Sequence, residues 1–335
     1  MKILITGGAG YIGSFMVKAA IDKGYEVVIA DSLERGYKEA VDPRAKLYTG
    51  GLLNKEFVSK IFSENKLDAV IHFAGYISMG ESMDNPYIYF QNNIFSSLNL
   101  MEEMVKTKTN NLIFSSSAGV YGNPIKTPIT EDHPKNPTNP YGESKLMVEK
   151  ILSWYGKIYD LNFACLRYFN ASGASLDGEM GENHSPESHL IPNAINSILS
   201  KTQFTLYGTD YPTPDKTCIR DYIHVVDLVD AHITAISKLK GDGGRLFYNV
   251  GTGHGYSNKE VIDMVKKVSS SEIDIKNAGR RSGDADVLIA DPALVRKDLG
   301  FSPKYSDLET IVKSAWEWHK KLKMQNARLP DGQEK

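Results

Sequence analysis

Long hydrophobic runs are missing from this sequence. No uninterrupted apolar stretch in its 335 residues approaches the roughly 20 that a membrane-spanning helix needs, so no membrane passage is expected. Cysteine is scarce too. Cys165 and Cys218 are the only two, in separate apolar or β-rich contexts, which excludes a disulfide framework or a cysteine-based metal site and suits buried thiols in a reducing cytoplasm. Charge of one sign is not in excess: 39 Lys and Arg oppose 41 Asp and Glu, a net charge of −2. That balance provides no broad basic surface for nucleic acid or anionic lipid, so any phosphate must be held by a local site. Internal repeats are absent. The eight histidines include no close pair with a neighbouring Cys or Asp at ligand spacing; His224 and His232 read as strand-end and helix residues, and no metal is expected. A basic, signal-like leader is lacking as well, since the chain opens on the strand-like Lys2-Ile3-Leu4-Ile5; the expected compartment is the cytoplasm.

What is present is an alternation of short β-rich runs with helical stretches. Strands are expected at Lys2–Thr6, Glu26–Ala30, Ala69–Phe73, Asn111–Ser115 and Asn162–Arg167. Helices are expected at Tyr11–Asp22, Lys55–Ser63, Asn92–Lys106 and Tyr141–Tyr159. This pattern predicts an α/β protein with a Rossmann-type doubly wound parallel sheet, in which ligands lie beyond the carboxyl ends of the strands. A chain of this length suits two lobes. The first is expected over 1–170, with later returns near 220–252. A smaller, loop-rich C-terminal α/β lobe for the substrate follows over 171–322, and a polar tail over 323–335.

The stretch "ILITGGAGYIGS" at 3–14 carries the first chemistry. A strand runs into Gly8-x-Gly10-x-x-Gly13, overlapped by Gly7-x-x-Gly10-x-x-Gly13, and an amphipathic helix follows. Glycines there allow a tight turn and close approach of a pyrophosphate, while the helix N-terminus supplies N–H donors. Asp31 ends the second strand, where a carboxylate binds the adenosine ribose and repels a 2′-phosphate. Arg35 is the nearest arginine. The expected cofactor is NAD rather than NADP.

The fourth run ends in Ser115-Ser116-Ser117, and the next helix begins at "NPYGESK", 139–145. Pro140 suits a first helical turn and Asn139 its cap. Tyr141 and Lys145 then share a face, about 5–6 Å apart at Cβ. Such a pair arises by chance on many helices; its context at the mouth of a dinucleotide crevice gives it weight. A phenol is a poor base near neutrality, and an adjacent ammonium and an oxidised nicotinamide both favour its phenolate.

Together with "HFAGYISMGES" (72–82), "YFNASGA" (168–174), "CIRDYIHVVDL" (218–228), "YNVGTG" (248–253) and "RRSGDAD" (280–286), these motifs resemble the UDP-glucose 4-epimerase branch of the extended short-chain dehydrogenase/reductase family. The resemblance reaches to about residue 320. It implies Tyr141 as base and acid, Lys145 as its partner and a ligand of the nicotinamide ribose, and Ser117 as a proton shuttle. It implies cofactor contacts from Gly7, Gly10, Tyr11, Ile12, Gly13, Asp31, Leu52, Phe73, Ala74, Gly75, Asn92, Tyr168 and Phe169. A UDP-sugar would meet Asn170, His189, Leu190, Tyr207, Arg220, Arg281, Asp284 and Leu288, besides Ser117 and Tyr141, with the two arginines clamping the diphosphate. It further implies a homodimer through the helices near 92–105 and 146–158. Three positions depart from the family: Gly51 replaces an aspartate that contacts adenine, Ile77 stands where some relatives have lysine, and Leu288 sits where bulk gates 2-acetamido sugars. The implied activity is 4-epimerisation of a UDP-hexose through a 4-keto sugar. Ala118 and Gly119 cannot transfer the protons that a dehydratase needs. A 4-epimerase of another UDP-sugar and a non-catalytic NAD-sensing protein stay open.

Overall fold

The computed structural model describes residues 1–281 and 283–326. Its strands are β1 (Lys2–Thr6), β2 (Glu26–Asp31), β3 (Lys46–Thr49), β4 (Ala69–His72), β5 (Asn111–Ser117), β6 (Asn162–Tyr168), β7 (Asn170–Ser172), β8 (Phe204–Tyr207), β9 (Ile219–His224), β10 (Arg245–Val250), β11 (Gly255–Ser257), β12 (Ile275–Ala278) and β13 (Val287–Leu288). Seven form one sheet in the order β10-β6-β5-β4-β1-β2-β3, and every pairing in it is parallel.

The near-continuous apolar strands follow from burial on both faces. Because successive side chains alternate, neighbours in sequence enter different cores. Ile3 and Ile5 pack with Met16 and Val17 of the helix Tyr11–Asp22 and with Leu228 and Ile236 of the helix Val225–Asp242. Leu4 and Val28 pack on the opposite side with Val58 and Ile61, Leu100 and Met104, and Val148 and Leu152, each pair contributed by a different helix. The chain leaves β1 toward β2 and β3, then crosses back to β4, so the strand order reverses beside β1. That is where a ligand crevice belongs.

Two strands of this sheet were not among the strands expected. β3 is an edge strand in which Tyr48 alone is buried, so its alternation is too weak to read. β10 forms the other edge. The second part of the chain returns β10 and the helix Val225–Asp242 to the large sheet, whereas β9 pairs with β7, β11 and β13 in a smaller one. β8 and β12 form a parallel pair. Beneath them the helices Leu190–Ser200, Asn258–Ser269 and Leu308–Asn326 share a core of Ile191, Ile195, Val261, Val265, Ile311 and Val312. The last helix runs to Asn326; the rest of the tail expected over 323–335 lies outside the described residues.

Candidate active site

The cradle is built from β1 upward. Gly7 has a φ of +73°, and a Cβ on it would lie 2.7 Å from the Ala74 nitrogen. A Cβ on Gly13 would lie 2.0 Å from the Gly7 oxygen, so helix and turn can meet only if residue 13 is glycine. Gly10 caps the helix without a side-chain hydrogen bond. The first-turn N–H groups of Tyr11, Ile12 and Gly13 are therefore available to an anion. Asp31 ties this turn to the end of β2: its Oδ2 accepts from the Ala9 N–H at 2.9 Å and its Oδ1 from the Leu33 N–H at 2.9 Å. A carboxylate keeps further lone pairs for ribose hydroxyls. Arg35 is committed elsewhere, in a bidentate pair with Glu81 at 2.8 and 2.7 Å and 4.0 Å above the Tyr76 ring. These residues fit NAD.

Phe73, Ala74 and Gly75 leave β4 beside the cradle; the Ala74 N–H donates to Thr6 Oγ1 at 3.3 Å. A Cβ at Gly75 would lie 3.7 Å from Lys145 Nζ, which places the cofactor loop against the helix Pro140–Tyr159. Leu52 is buried, its carbonyl held by Asn99 at 2.9 Å, whereas a Cβ at Gly51 would meet nothing within 4 Å. Asn92 lies in a π-helical turn, Gln91–Phe95, a feature that gathers at functional sites. Its neighbour Asn93 is a residue the sequence reading missed. It accepts from the Tyr76 N–H at 2.8 Å and donates to Ser144 Oγ at 3.0 Å, joining the loop to that helix; the Asn-Asn doublet was the available signal. The Tyr11 side chain reaches across to the second part of the chain, its hydroxyl donating to the Gly173 carbonyl at 2.6 Å.

The Ser/Tyr/Lys set assembles at the end of β5. Asn139 caps the helix, accepting from the Gly142 N–H at 2.9 Å. A Cβ at Gly142 would lie 2.5 Å from the Gly119 oxygen, so the helix start rests directly on the turn after Ser117. Ser117 accepts from the Gly119 N–H at 3.0 Å. Lys145 is buried and donates from Nζ to the Ser115 carbonyl at 2.9 Å, 5.9 Å from the centre of the Tyr141 ring. Burial raises the Tyr141 phenol above its usual value, and the Ser117 hydroxyl draws it back down. Burial lowers Lys145 from 10.5 to about 8. Tyr168 lies deeper, its hydroxyl bonded to Ser115 Oγ and its ring 5.7 Å from His232.

The lowered Lys145 value has a measurable consequence. Below about pH 8 both folded and unfolded chains hold the proton; between about 8 and 10.5 the unfolded chain holds more, so stability contributed by this group rises with pH. Urea unfolding of wild type and Lys145→Met should show the wild type gaining about 3 kcal/mol on the variant across that window. A pH-independent difference would contradict the assignment.

A second cluster faces this one from β8, β9 and β13. Arg220 lies 3.8 Å from Asp284, and Arg281 donates to the other Asp284 oxygen at 3.0 Å while standing 5.5 Å over Tyr207. Thr138, just before the helix cap, donates to the Gly283 carbonyl at 3.3 Å, bringing the 280–286 loop to the helix that carries Tyr141. Leu288 pairs with Arg220 in the sheet and packs with Phe169 against Val120, Tyr121, Ile129 and Leu146. Asn170 stands in register with Tyr222 in β7 and β9. His189 caps the helix that Leu190 opens, but its ring turns to Glu182. A Glu/His group outside the expected site lies here as well: Glu182, His184, Glu187 and His189 offer four ligand atoms within 4.8 Å of one another. The sequence search sought His beside Cys or Asp and passed over this Glu/His loop.

Fold, cradle and Ser/Tyr/Lys arrangement define a dinucleotide-dependent enzyme of the short-chain type. Residues 3–251 match the NAD dependent epimerase/dehydratase family, and the chain belongs to it. Among its relatives, UDP-glucose 4-epimerase of Lactobacillus helveticus is 46% identical over 321 residues, 96% of this chain and 97% of that protein. The crystal structure of UDP-glucose 4-epimerase from Brucella ovis in complex with NAD superposes with a TM-score of 0.91 at 43% identity, covering 94% and 97% of the two chains. The Bifidobacterium longum enzyme in complex with NAD⁺ and UDP gives a TM-score of 0.91 at 36% identity, covering 96% and 98%. No helix among the described residues is long and apolar enough to cross a membrane.

Proposed function

We propose that this protein is an NAD-dependent 4-epimerase of UDP-hexoses, interconverting UDP-glucose and UDP-galactose. The observation that carries this is the position of Ser117, Tyr141 and Lys145 between the glycine cradle and the arginine cluster, with Thr138 and Gly283 joining the two. Gly7, Gly10, Tyr11, Ile12, Gly13 and Asp31 would hold NAD, which when bound accepts hydride from sugar C4 and returns it. Tyr141 takes the 4′-hydroxyl proton beside Ser117 and returns it to the same oxygen after the sugar has presented its other face to the hydride donor. Lys145 supplies positive charge that favours the phenolate. Arg220 and Arg281 grip the diphosphate, so binding energy comes from a remote group while the 4-keto sugar stays free to turn. Leu288 and Phe169 wall the sugar side. Purified protein given UDP-galactose and NAD⁺ should yield UDP-glucose in a coupled assay; no product at saturation would overturn the reading, and turnover only of a UDP-pentose or UDP-uronic acid would reassign the sugar.

Gly51 sits at the adenine end in this reading. Its exposed position and open surroundings predict that Gly51→Asp folds with stability within about 0.5 kcal/mol of wild type, and that it binds NAD more tightly. Calorimetric titration with NAD⁺ checks this; weaker binding would remove Gly51 from the adenine site.

The partner chain is a second copy. Met147, Trp154 and Ile158 lie along one face of the helix Pro140–Tyr159, with Phe95 exposed on the neighbouring segment; Trp154 and Ile158 are 61% and 63% exposed. An apolar stripe of this kind marks an interface. Light scattering should find a dimer, and Trp154→Glu should shift it to monomer; unchanged mass would contradict the placement. The buried free thiols of Cys165 and Cys218 suit a cytoplasmic protein.

A further inference from the structure

The loop 173–189 carries a group that the mechanism does not use. Glu182, His184, Glu187 and His189 lie close together in sequence and their ligand atoms converge, Glu182 buried and His189 at the solvent edge. His184 Nδ1 lies 3.0 Å from Glu182 Oε1 and 3.8 Å from Glu187 Oε1. His189 Nδ1 contacts the same Glu182 oxygen and lies 3.7 Å from Glu187 Oε1. Tetrahedral ligation by nitrogen and oxygen at about 2.0–2.2 Å sets neighbouring ligand atoms about 3.3–3.6 Å apart. The observed separations straddle that spacing.

Three features show that the convergence is built rather than incidental. Glu182 and Glu187 side chains are 3% and 9% exposed, a costly place for two carboxylates unless a cation, either protonated imidazole or a metal ion, offsets them. Glu187 Oε1 is oriented by the Ser188 and His189 N–H groups, at 2.7 and 2.9 Å. His184 Nδ1 is buried and, although 3.0 Å from Glu182 Oε1, makes no well-aligned hydrogen bond among the described residues. The loop is also fixed from outside: Trp318 Nε1 donates to the Glu182 carbonyl at 2.8 Å, and the His184 ring stands edge-on to Tyr11 at 6.4 Å.

We propose that Glu182, His184, Glu187 and His189 form a binding site for one divalent first-row cation of the Zn²⁺ type. Two imidazoles exclude Mg²⁺ and Ca²⁺, which take oxygen ligands, and two carboxylates with two imidazoles suit Zn²⁺ or Co²⁺. The ion has no route to the reacting sugar carbon through these residues. Its work is positional: it staples the loop whose Gly173 carbonyl is held by Tyr11, and it fixes His189 at the start of the helix Leu190–Ser200. The proposal stands on the loop geometry and does not depend on the epimerase reading.

The test uses the full chain, stripped with a chelator and titrated with Zn²⁺ by calorimetry, then with Co²⁺ by visible absorption. One Zn²⁺ per chain and the intense d–d bands of four-coordinate Co²⁺ are expected. His184→Ala should weaken Zn²⁺ binding by more than the roughly 10–100-fold that loss of a merely supporting partner costs, and Zn²⁺ should raise the melting temperature of wild type but not of the variant. No stoichiometric binding to wild type, or binding unchanged in His184→Ala, overturns the proposal. Should the variant not fold, the wild-type titrations decide alone.

Discussion

Tyr141→Phe should lower kcat for UDP-galactose by about 10²–10⁴-fold, the contribution of a positioned general acid–base group, while UDP binding stays at the wild-type level. The split follows from the layout. Tyr141 opens the helix that packs on the turn after Ser117, whereas Arg220 and Arg281 gather on Asp284, so the hydroxyl is removed without disturbing the arginines proposed to clamp the diphosphate. The ring keeps its packing, and a buried phenol already raised by its surroundings loses only its proton-transfer role. Single-turnover kinetics with UDP-galactose, beside calorimetry with UDP, separate the two effects. A kcat within about tenfold of wild type would take Tyr141 out of the chemistry.

Glu149→Gln should cost about 3–5 kcal/mol of stability, because it leaves a guanidinium buried without its counter-charge. Arg167 is 2% exposed and bonds Glu149 through both arms, Nε to Oε1 at 2.8 Å and NH2 to Oε2 at 2.7 Å. Ser116 donates to the same carboxylate at 2.6 Å, and Arg167 NH1 reaches the Tyr121 hydroxyl at 2.9 Å, which in turn donates to Asn249 at 2.7 Å. The network thus joins β5, β6, β10 and the helix that carries Tyr141 and Lys145. Urea unfolding measures the loss. The double change Glu149→Leu with Arg167→Met should recover much of it, since the apolar replacement strands no charge. A loss below about 1 kcal/mol for Glu149→Gln would show that the pair is not what holds helix to sheet.

The cofactor side of the molecule was readable in the sequence because its chemistry is written locally. A strand, three spaced glycines and an amphipathic helix are neighbours in the chain, and the fold only has to keep them so. "NPYGESK" is likewise a cap, a proline and two side chains on one helical face. The helix Tyr11–Asp22 has the bounds that its periodicity suggests, and Pro140–Tyr159 begins one residue before the reading that started at Tyr141. What escaped depends on distant partners. In the sequence Arg35 is only the arginine nearest Asp31; its partner Glu81 arrives from another element. The partner of the Tyr11 hydroxyl, the Gly173 carbonyl, likewise comes from far along the chain. β3 exposes most of its side chains, so no pattern announces it. The Glu/His loop has neither helical nor strand period, and its convergence is produced by the turns of the chain itself. The turn of the His189 ring toward Glu182 belongs to the same cause.

Gly13 and Gly51 set opposite terms for divergence at the cofactor site. At residue 13 a single methyl would occupy the space of the Gly7 carbonyl, so there is no graded series of tolerated changes, only retention or loss. At residue 51 a side chain of ordinary size enters open solvent. On the proposed reading, substitutions that tune the hold on NAD are therefore expected at the rim of the crevice, and substitutions in the cradle are expected to abolish it.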